Sequence, residues 1–189
     1  TGLLQALGCE VVDLGIVPDD FAATVKVLEA AAAKADLIIT SGGVSVGEED
    51  HVKAAVEAVG KLDMWKIAIK PGKPLAFGEV GQVPFIGLPG NPVSAFVTFC
   101  LFVRPFILRS QGITAAAPQA FSLKADFDWL KPDKRREFLR ARLHTAENGE
   151  VGVQLYPHQG SGVLTSTVWA DGLVEVPEGA TVRRGETIK

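Results

Sequence analysis

An α/β domain followed by a small all-β domain is the fold class that this sequence predicts. Residues 1 to 109 alternate strand-like and helix-like segments, the pattern of an α/β parallel sheet. Beyond Ser110 to Pro118, a stretch of linker composition, the apolar period changes to two: Phe121, Leu123, Ala125 and Phe127 alternate with polar residues. Several short strands within about seventy residues suggest a small barrel or sandwich. A chain of 189 residues with 47% hydrophobic content can bury a core in one or two domains. The boundaries read 1–109 for the α/β domain, 110–118 for the linker and 119–189 for the β domain.

In the first domain, Leu3 to Leu7 reads as the end of a helix with Gly8 as its C-cap. Glu10 to Val17 reads as a strand, and Pro18-Asp19-Asp20 supplies helix-start chemistry. Phe21 to Ala33 follows as a helix with Phe21, Val25 and Leu28 on one face. A strand over 35–40 then leads through a glycine-rich turn into a helix over 51–59. Strands are expected at Trp65 to Ile69, Leu75 to Val80 and Pro84 to Leu88. Leu88-Pro89-Gly90-Asn91-Pro92 forms a second turn, with Asn91 as N-cap and Pro92 at the first helical position. The long apolar helix Val93 to Leu108 closes the domain. In the β domain, Val151 to Tyr156 and Leu173 to Val176 are strand-like, while Glu178-Gly179 and Arg184-Gly185 are turns.

A net charge of −3 and a pI near 5.6 give no general electrostatic reason to bind nucleic acid or a membrane. The longest apolar run, Pro92 to Leu108, contains Arg104 and Pro105 and fits a buried helix better than a bilayer span. No signal peptide is visible, and the chain starts at Thr1 without an initiating Met, as expected of a partial chain. Cys9 and Cys100 lie far apart, with neither a second Cys nor a His at ligand spacing. Two buried free thiols in a cytoplasmic protein fit better than a disulfide or a zinc site.

Two segments carry chemistry. Thr40-Ser41-Gly42-Gly43-Val44-Ser45-Val46-Gly47-Glu48-Glu49-Asp50 leaves a strand and enters a helix, and Lys70-Pro71-Gly72-Lys73-Pro74 follows about twenty residues later. A glycine-rich strand-to-helix turn either is a tight connection or lets backbone N–H groups converge on an anion at the helix start. The Ser45 hydroxyl favours the second, since it can donate to an oxyanion. The acidic trio Glu48-Glu49-Asp50 reads either as residues favoured by the helix dipole or as carboxylate ligands for Mg²⁺. The turn lacks the Gly-Lys-Ser/Thr ending of a P-loop and the dinucleotide G-x-G-x-x-G spacing. Lys70 and Lys73 are set beside Pro-Gly turns that fix the backbone. Two ammonium groups within ~8 Å repel by ~2 kcal/mol at an effective dielectric of about 20. A bound dianion reverses the sign of that term, so the pair makes better sense as a receptor for a phosphorylated or oxyanionic ligand.

The conjunction of TSGGVSVGEED, KPGKPLAFG and GLPGNPVSAFVTF, in that order and spacing, resembles the molybdopterin molybdenumtransferase family. That family includes bacterial molybdenum-insertion enzymes and the E domain of gephyrin. REFLRA at 136–141 and HQGSG at 158–162 look like the family's final β-barrel domain. The resemblance covers essentially the whole chain, and the chain corresponds to about the C-terminal half of a member. It implies a three-layer α/β/α molybdopterin-binding domain, lacking its first strand, followed by a β-barrel. The implied substrates are adenylylated molybdopterin and molybdate, with Mg²⁺-dependent cleavage of the adenylate and release of AMP.

Carried over by motif position, Ser45 and Asp50 lie in the catalytic loop, where Asp50 either binds the metal with Glu48 or positions the water that attacks the phosphoanhydride. Gly42 and Gly43 hold phosphate; Lys70, Lys73 and Pro74 face molybdate and the pterin phosphate, with Asn91 and Ser94 close by. Arg140 and Ser161 bring the β domain to the molybdate side, with Arg142 an alternative to Arg140 on the same strand face. Many relatives carry a Ser-Ser-Arg run where this chain has Ser161-Gly162-Val163. The family's opening strand, with its Thr-Gly-Asp-Glu turn, would precede Thr1. The family pattern also implies a homodimer in the full-length form, and the isolated segment is expected to be inactive. Two other functions share parts of the pattern: a non-catalytic binding or scaffold module, and a molybdopterin adenylyltransferase or competence-damage-type amidohydrolase. The appended β domain favours molybdenum insertion.

Overall fold

The computed structural model describes residues 1–44, 51–145 and 149–189. Ser45, Glu48, Glu49 and Asp50 lie outside the described residues. The chain divides into two compact units. The first comprises Thr1–Ile67, Pro74–Gly90 and Thr98–Ala117, and the second Ala68–Lys73, Asn91–Val97 and Pro118–Lys189.

In the first unit, α1 (Gly2–Gln5) ends in a turn where Gly8 takes φ 78° and the Cys9 N–H bonds the Leu4 carbonyl. Helix α2 (Phe21–Ala32) starts because the Asp20 carboxylate accepts the Ala23 N–H at 2.7 Å. Its buried residues Thr24, Leu28 and Ala31 recur at helical spacing. The sheet has the order β1 (Ile38–Ser41), β5 (Val83–Leu88), β4 (Pro74–Val80), β2 (Gly60–Lys66). Helix α3 (His51–Val59) leads directly into β2 and buries Ala55 and Val56. Leu28, Ile38, Val44, Val56, Ala76, Val80 and Phe85 form one core. Ala76 and Val80 of β4 face that core with α2 and α3. The intervening Phe77 meets Phe106 of α5 (Arg104–Ser110) edge-on, with ring centroids 6.2 Å apart. Successive strand residues point to opposite faces, so helices cover both sides of the sheet. This is the three-layer arrangement.

The sheet is mixed rather than parallel. Only β1 and β5 run parallel, whereas β5–β4 and β4–β2 are antiparallel. The physical reason is the Gly81-Gln82 loop: two residues, glycine first at φ 61°, can close only a hairpin. The strand expected at Glu10 to Val17 does not form. Its segment pairs with no strand among the described residues, Asp13 turns back to accept the Gly15 N–H at 2.8 Å, and Ile16 is fully exposed. The strand expected at Trp65 to Ile69 is split into the end of β2 and a separate β3 (Ile69–Lys70) that belongs to the other sheet.

Pro92 to Ser110 runs as one helix: α4 (Pro92–Thr98), a π turn over Phe99–Val103, then α5. Pro105 cannot donate to the carbonyl four residues back, and the wider turn just before it accommodates that loss. The helix is long and apolar enough to cross a membrane by length and composition. Val93, Val97, Phe99, Val103 and Ile107 are nevertheless buried in the fold. Cys9 and Cys100 are free thiols, and burial pushes Cys100 above its ordinary value.

In the second unit, β10 (Thr187–Ile188), β6 (Leu123–Ala125), β8 (Val151–Leu155), β7 (Arg136–Thr145) and β3 are neighbours in that order. β9 (Gly172–Val176) pairs with the other edge of β7. The Glu175 N–H bonds the Lys189 carbonyl at 3.0 Å, joining β9 to the chain just beyond β10. The sheet therefore curls toward a barrel around Ala125, Phe127, Leu139, Val153, Val174 and Val176. The alternation expected from Phe121 yields only the three residues of β6, and Phe121 itself is exposed. The short helix α6 (Thr165–Trp169) was not expected.

A glycine tests the first unit. A methyl on Gly60 would run into the Glu79 carbonyl across the β2–β4 ladder, whereas one on Gly2 meets nothing within 4 Å. Gly60→Ala is expected to destabilise the chain by about 1–3 kcal/mol through overpacking, and Gly2→Ala to leave it unchanged. Urea midpoints of the two variants check this.

Candidate anion-binding site

In the first unit, β1 and β5 end side by side, and each passes into a glycine turn. The Gly42 N–H bonds the Leu88 carbonyl at 3.0 Å, and the Ser41 hydroxyl reaches the Pro89 carbonyl at 3.5 Å. A Cβ at Gly90 would stand 3.5 Å from the Gly42 Cα, so the two turns meet backbone to backbone. Gly42 and Gly43 take φ 85° and 67°, a conformation that glycine adopts without strain. The turns lie at the carboxyl ends of parallel strands, where open α/β sheets bind ligands. Pro74, at the start of β4, pairs with Lys66.

The second unit holds a cavity of about 300 Å³ whose lining includes Lys70, Pro71, Trp129, Glu137, Arg140 and Gln159. Lys70 and Glu137 are register partners where β3 runs parallel to β7. Lys70 Nζ lies 2.9 Å from Glu137 Oε1 and 3.1 Å from Asp133 Oδ2. The ion pair with Glu137, then the hydrogen bond to Asp133, raises the lysine's pKa against an opposing effect of burial. Glu137 is held from behind, since Trp129 Nε1 donates to its Oε2 at 2.8 Å. Asp133 accepts from the side chain and backbone N–H of Arg135 and from Lys70, which holds its carboxyl well below the usual carboxylate range. The expectation that Lys70 offers a free positive charge therefore changes: its ammonium is already shared between two carboxylates. Lys73 is exposed and forms no ion pair among the described residues.

Arg140 is the largest fully buried side chain, 1% exposed. Its backbone N–H and carbonyl both bond the Gln159 side chain at 2.9 Å. Nε donates to Ser166 Oγ at 3.0 Å and Nη2 to the Gly160 carbonyl at 3.2 Å, while the buried Nη1 has no hydrogen-bond partner. Among the described residues no carboxylate pairs with this guanidinium. Burial pushes its pKa down, yet arginine stays charged at neutral pH. A buried cation without a counter-charge is costly unless an anion completes it. Arg142, two residues on, is exposed and lies over the Trp169 ring at 4.9 Å from its centroid. Only Arg140 of the two lines the cavity.

The Ser161 carbonyl accepts the Val93 N–H at 3.2 Å, which brings the 158–162 loop to the first turn of α4, beside the buried Ser94. Asn91 is exposed, and its carbonyl accepts the Ala95 N–H. The structure thus gathers Lys70 and Arg140 at one cavity, and Ser161 next to the turn that carries Ser94. Ser45, Glu48 and Asp50 fall outside the described residues. Among the described residues, no group of three His, Cys, Asp or Glu side chains could hold a metal ion. Sequence reasoning missed Glu137, Asp133, Trp129 and Gln159. Glu137 and Gln159 stand inside the REFLRA and HQGSG segments, which were the available signal.

A mixed α/β unit with glycine turns at its strand ends, and a curled β unit whose buried arginine meets no carboxylate among the described residues, define a protein of two-unit α/β-plus-β class. Residues 1–109 match the family described as "Probable molybdopterin binding domain", and residues 122–189 match the "MoeA C-terminal region (domain IV)". The chain belongs to the molybdopterin-binding domain family, with the MoeA C-terminal region following it. It is 46% identical over 188 residues to a protein of Haemophilus influenzae named molybdopterin molybdenumtransferase, covering 98% of this chain and 46% of that protein. It is 36% identical to the Drosophila melanogaster molybdenum cofactor synthesis protein cinnamon, covering 94% of this chain and 30% of that one. A crystal structure of a Pyrococcus molybdopterin biosynthesis MoeA protein superposes with a TM-score of 0.77 at 30% identity, covering 99% of this chain and 44% of the other. The chain spans less than half the length of these relatives.

The Asp133 contacts predict a pH dependence. A carboxyl held below its unfolded value binds fewer protons in the folded state, so it stabilises above about pH 4 and loses that effect as pH falls further. Asp133→Asn is expected to lower the urea midpoint at neutral pH. The gap to the parent chain should narrow below about pH 3. A gap that stays constant across this range would show that the ionised carboxylate contributes nothing.

Proposed function

We propose that this chain is the substrate-binding portion of a molybdopterin molybdenumtransferase, an enzyme of molybdenum cofactor biosynthesis. On this reading it takes adenylylated molybdopterin and molybdate, and the whole protein releases AMP as molybdenum passes to the pterin dithiolene. The observation that carries the proposal is Arg140: a buried guanidinium with one nitrogen unpartnered and no carboxylate of its own among the described residues, and a place in the lining of a cavity shared with Lys70. Fixed positive charge of this kind is what a tetrahedral oxyanion needs, because it acts without reorganising water. The resemblance to proteins named molybdopterin molybdenumtransferase supports the same conclusion.

Each group then has a part. Arg140 and Lys73 hold oxyanion charge, and Lys70 adds to it when released from its carboxylates. Gly43 presents its backbone N–H to phosphate, Gly42 fixes the turn through its own N–H bond to the Leu88 carbonyl, and Ser45 donates to the same oxygens. Pro74, Asn91, Ser94 and Ser161 shape the surroundings of the ligand. Glu48 and Asp50 supply the hard oxygen donors that Mg²⁺ prefers, and a bound Mg²⁺ would neutralise charge on the phosphoanhydride. The proposal also includes a homodimer of the full-length form in the cytoplasm.

The test is molybdate-dependent AMP release by the full-length protein that contains this chain. Asp50→Asn is expected to abolish adenylate cleavage while largely sparing pterin binding, because an amide holds Mg²⁺ poorly. Near-parental turnover would remove Asp50 from the mechanism. In calorimetry with molybdate, Lys73→Ala is expected to cost about 1.5–3 kcal/mol, the range for a lost charge-assisted hydrogen bond. Lys70→Ala should cost less, since its charge is already partly spent on Glu137 and Asp133. Unchanged affinity in both variants would overturn the oxyanion assignment.

A further inference from the structure

The cluster around Lys70 contains two cations, Lys70 and Arg135, and two carboxylates, Asp133 and Glu137, and is formally neutral. An oxyanion approaching Lys70 gains no net attraction from such a group unless a carboxylate is neutralised or displaced. Glu137 is the member that cannot move aside. Its side chain is 2% exposed against 42% for Lys70, its Oε2 is anchored by Trp129, and β3–β7 pairing places it directly opposite the lysine. Asp133 is the looser partner, with a side chain 21% exposed and divided between Lys70 and Arg135. A buried carboxylate fixed against the lysine of an anion cavity is the reverse of what maximal anion affinity would select.

We propose that Glu137 is the specificity-determining residue of this cavity: it holds Lys70 in a resting ion pair and so weakens the site for small inorganic oxyanions. The inference rests on the assignment of Lys70 to an oxyanion site. Its consequence is selectivity. An isolated sulfate, phosphate or molybdate must compete with Glu137 for the lysine. A larger anionic ligand anchored elsewhere along the chain gains the contact at lower cost, because its approach is already intramolecular. Trp129 acts as a positioning residue through Glu137 rather than on the ligand.

Equilibrium dialysis or calorimetry with molybdate, and separately with sulfate, on the full chain decides the matter. Glu137→Gln keeps the shape and the acceptor for Trp129 but removes the charge, and is expected to bind both anions at least tenfold more tightly than the parent. Adding Lys70→Gln should abolish that gain. A residue that served only to hold the fold together would produce the opposite, weaker binding and a lower melting temperature. Unchanged or weaker anion binding in folded Glu137→Gln, with parental binding still sensitive to Lys73→Ala, overturns this inference and leaves the oxyanion site standing. Binding insensitive to both lysines overturns the site as well. Should Glu137→Gln fail to fold, Asp133→Asn relieves Lys70 of its other carboxylate at a more exposed position. It is expected to tighten sulfate binding several-fold, and no tightening there also counts against the proposal.

Discussion

Strand β7 carries two buried charges of opposite sign three residues apart, and their unequal compensation organises the second unit. Glu137 accepts the Trp129 indole N–H at one oxygen and lies in an ion pair with the Lys70 ammonium at the other. Arg140 receives hydroxyl and carbonyl oxygens but no negative charge among the described residues. Burying an ion costs several kcal/mol after relaxation, so neither charge is there for stability alone. Glu137 draws the 68–73 segment onto the β sheet, and Gln159 closes over the Arg140 backbone where a neighbouring strand would otherwise sit. Both devices bring loops that lack strand partners of their own to the same stretch of β7.

The elements of the first unit were legible because local signals agreed with one another. Asp20 before an alanine-rich amphipathic run, and Gly81-Gln82 between apolar strands, each specify one structure with little help from the rest of the chain. Strand direction was not legible in the same way. Alternating helices and strands suggested a parallel sheet, yet the order β1-β5-β4-β2 follows from hairpin closure over which periodicity has no say. Glu10 to Val17 has strand composition but stays irregular, which shows that a strand needs a ladder partner as well as a pattern.

At the site, residue types were readable and their pairings were not. Lys70 and Arg140 stand out in KPGKP and REFLRA. Nothing in either segment says that Lys70 meets Glu137 and Asp133, because those contacts join residues more than sixty positions apart. Counting the lysines as free charge followed from that blindness. The buried state of Arg140, against the exposed stacking of Arg142 on Trp169, likewise emerges only once β7 has neighbours on both edges.

On the proposed function, the two units would meet anions by different physics. In the first, backbone N–H groups and glycine turns at strand ends offer fixed partial charges that cost no ionic desolvation, which suits phosphate held along a turn. In the second, a buried guanidinium without a carboxylate among the described residues stands beside a half-exposed lysine held by two carboxylates, an arrangement that would suit a compact oxyanion held without being trapped. A chain built from both would treat two anions unequally: one retained by many weak dipoles, the other admitted to a site whose lysine is already engaged. On the proposed function, that asymmetry would serve a reaction joining two anions, since binding both tightly would stabilise the ground state as much as the transition state.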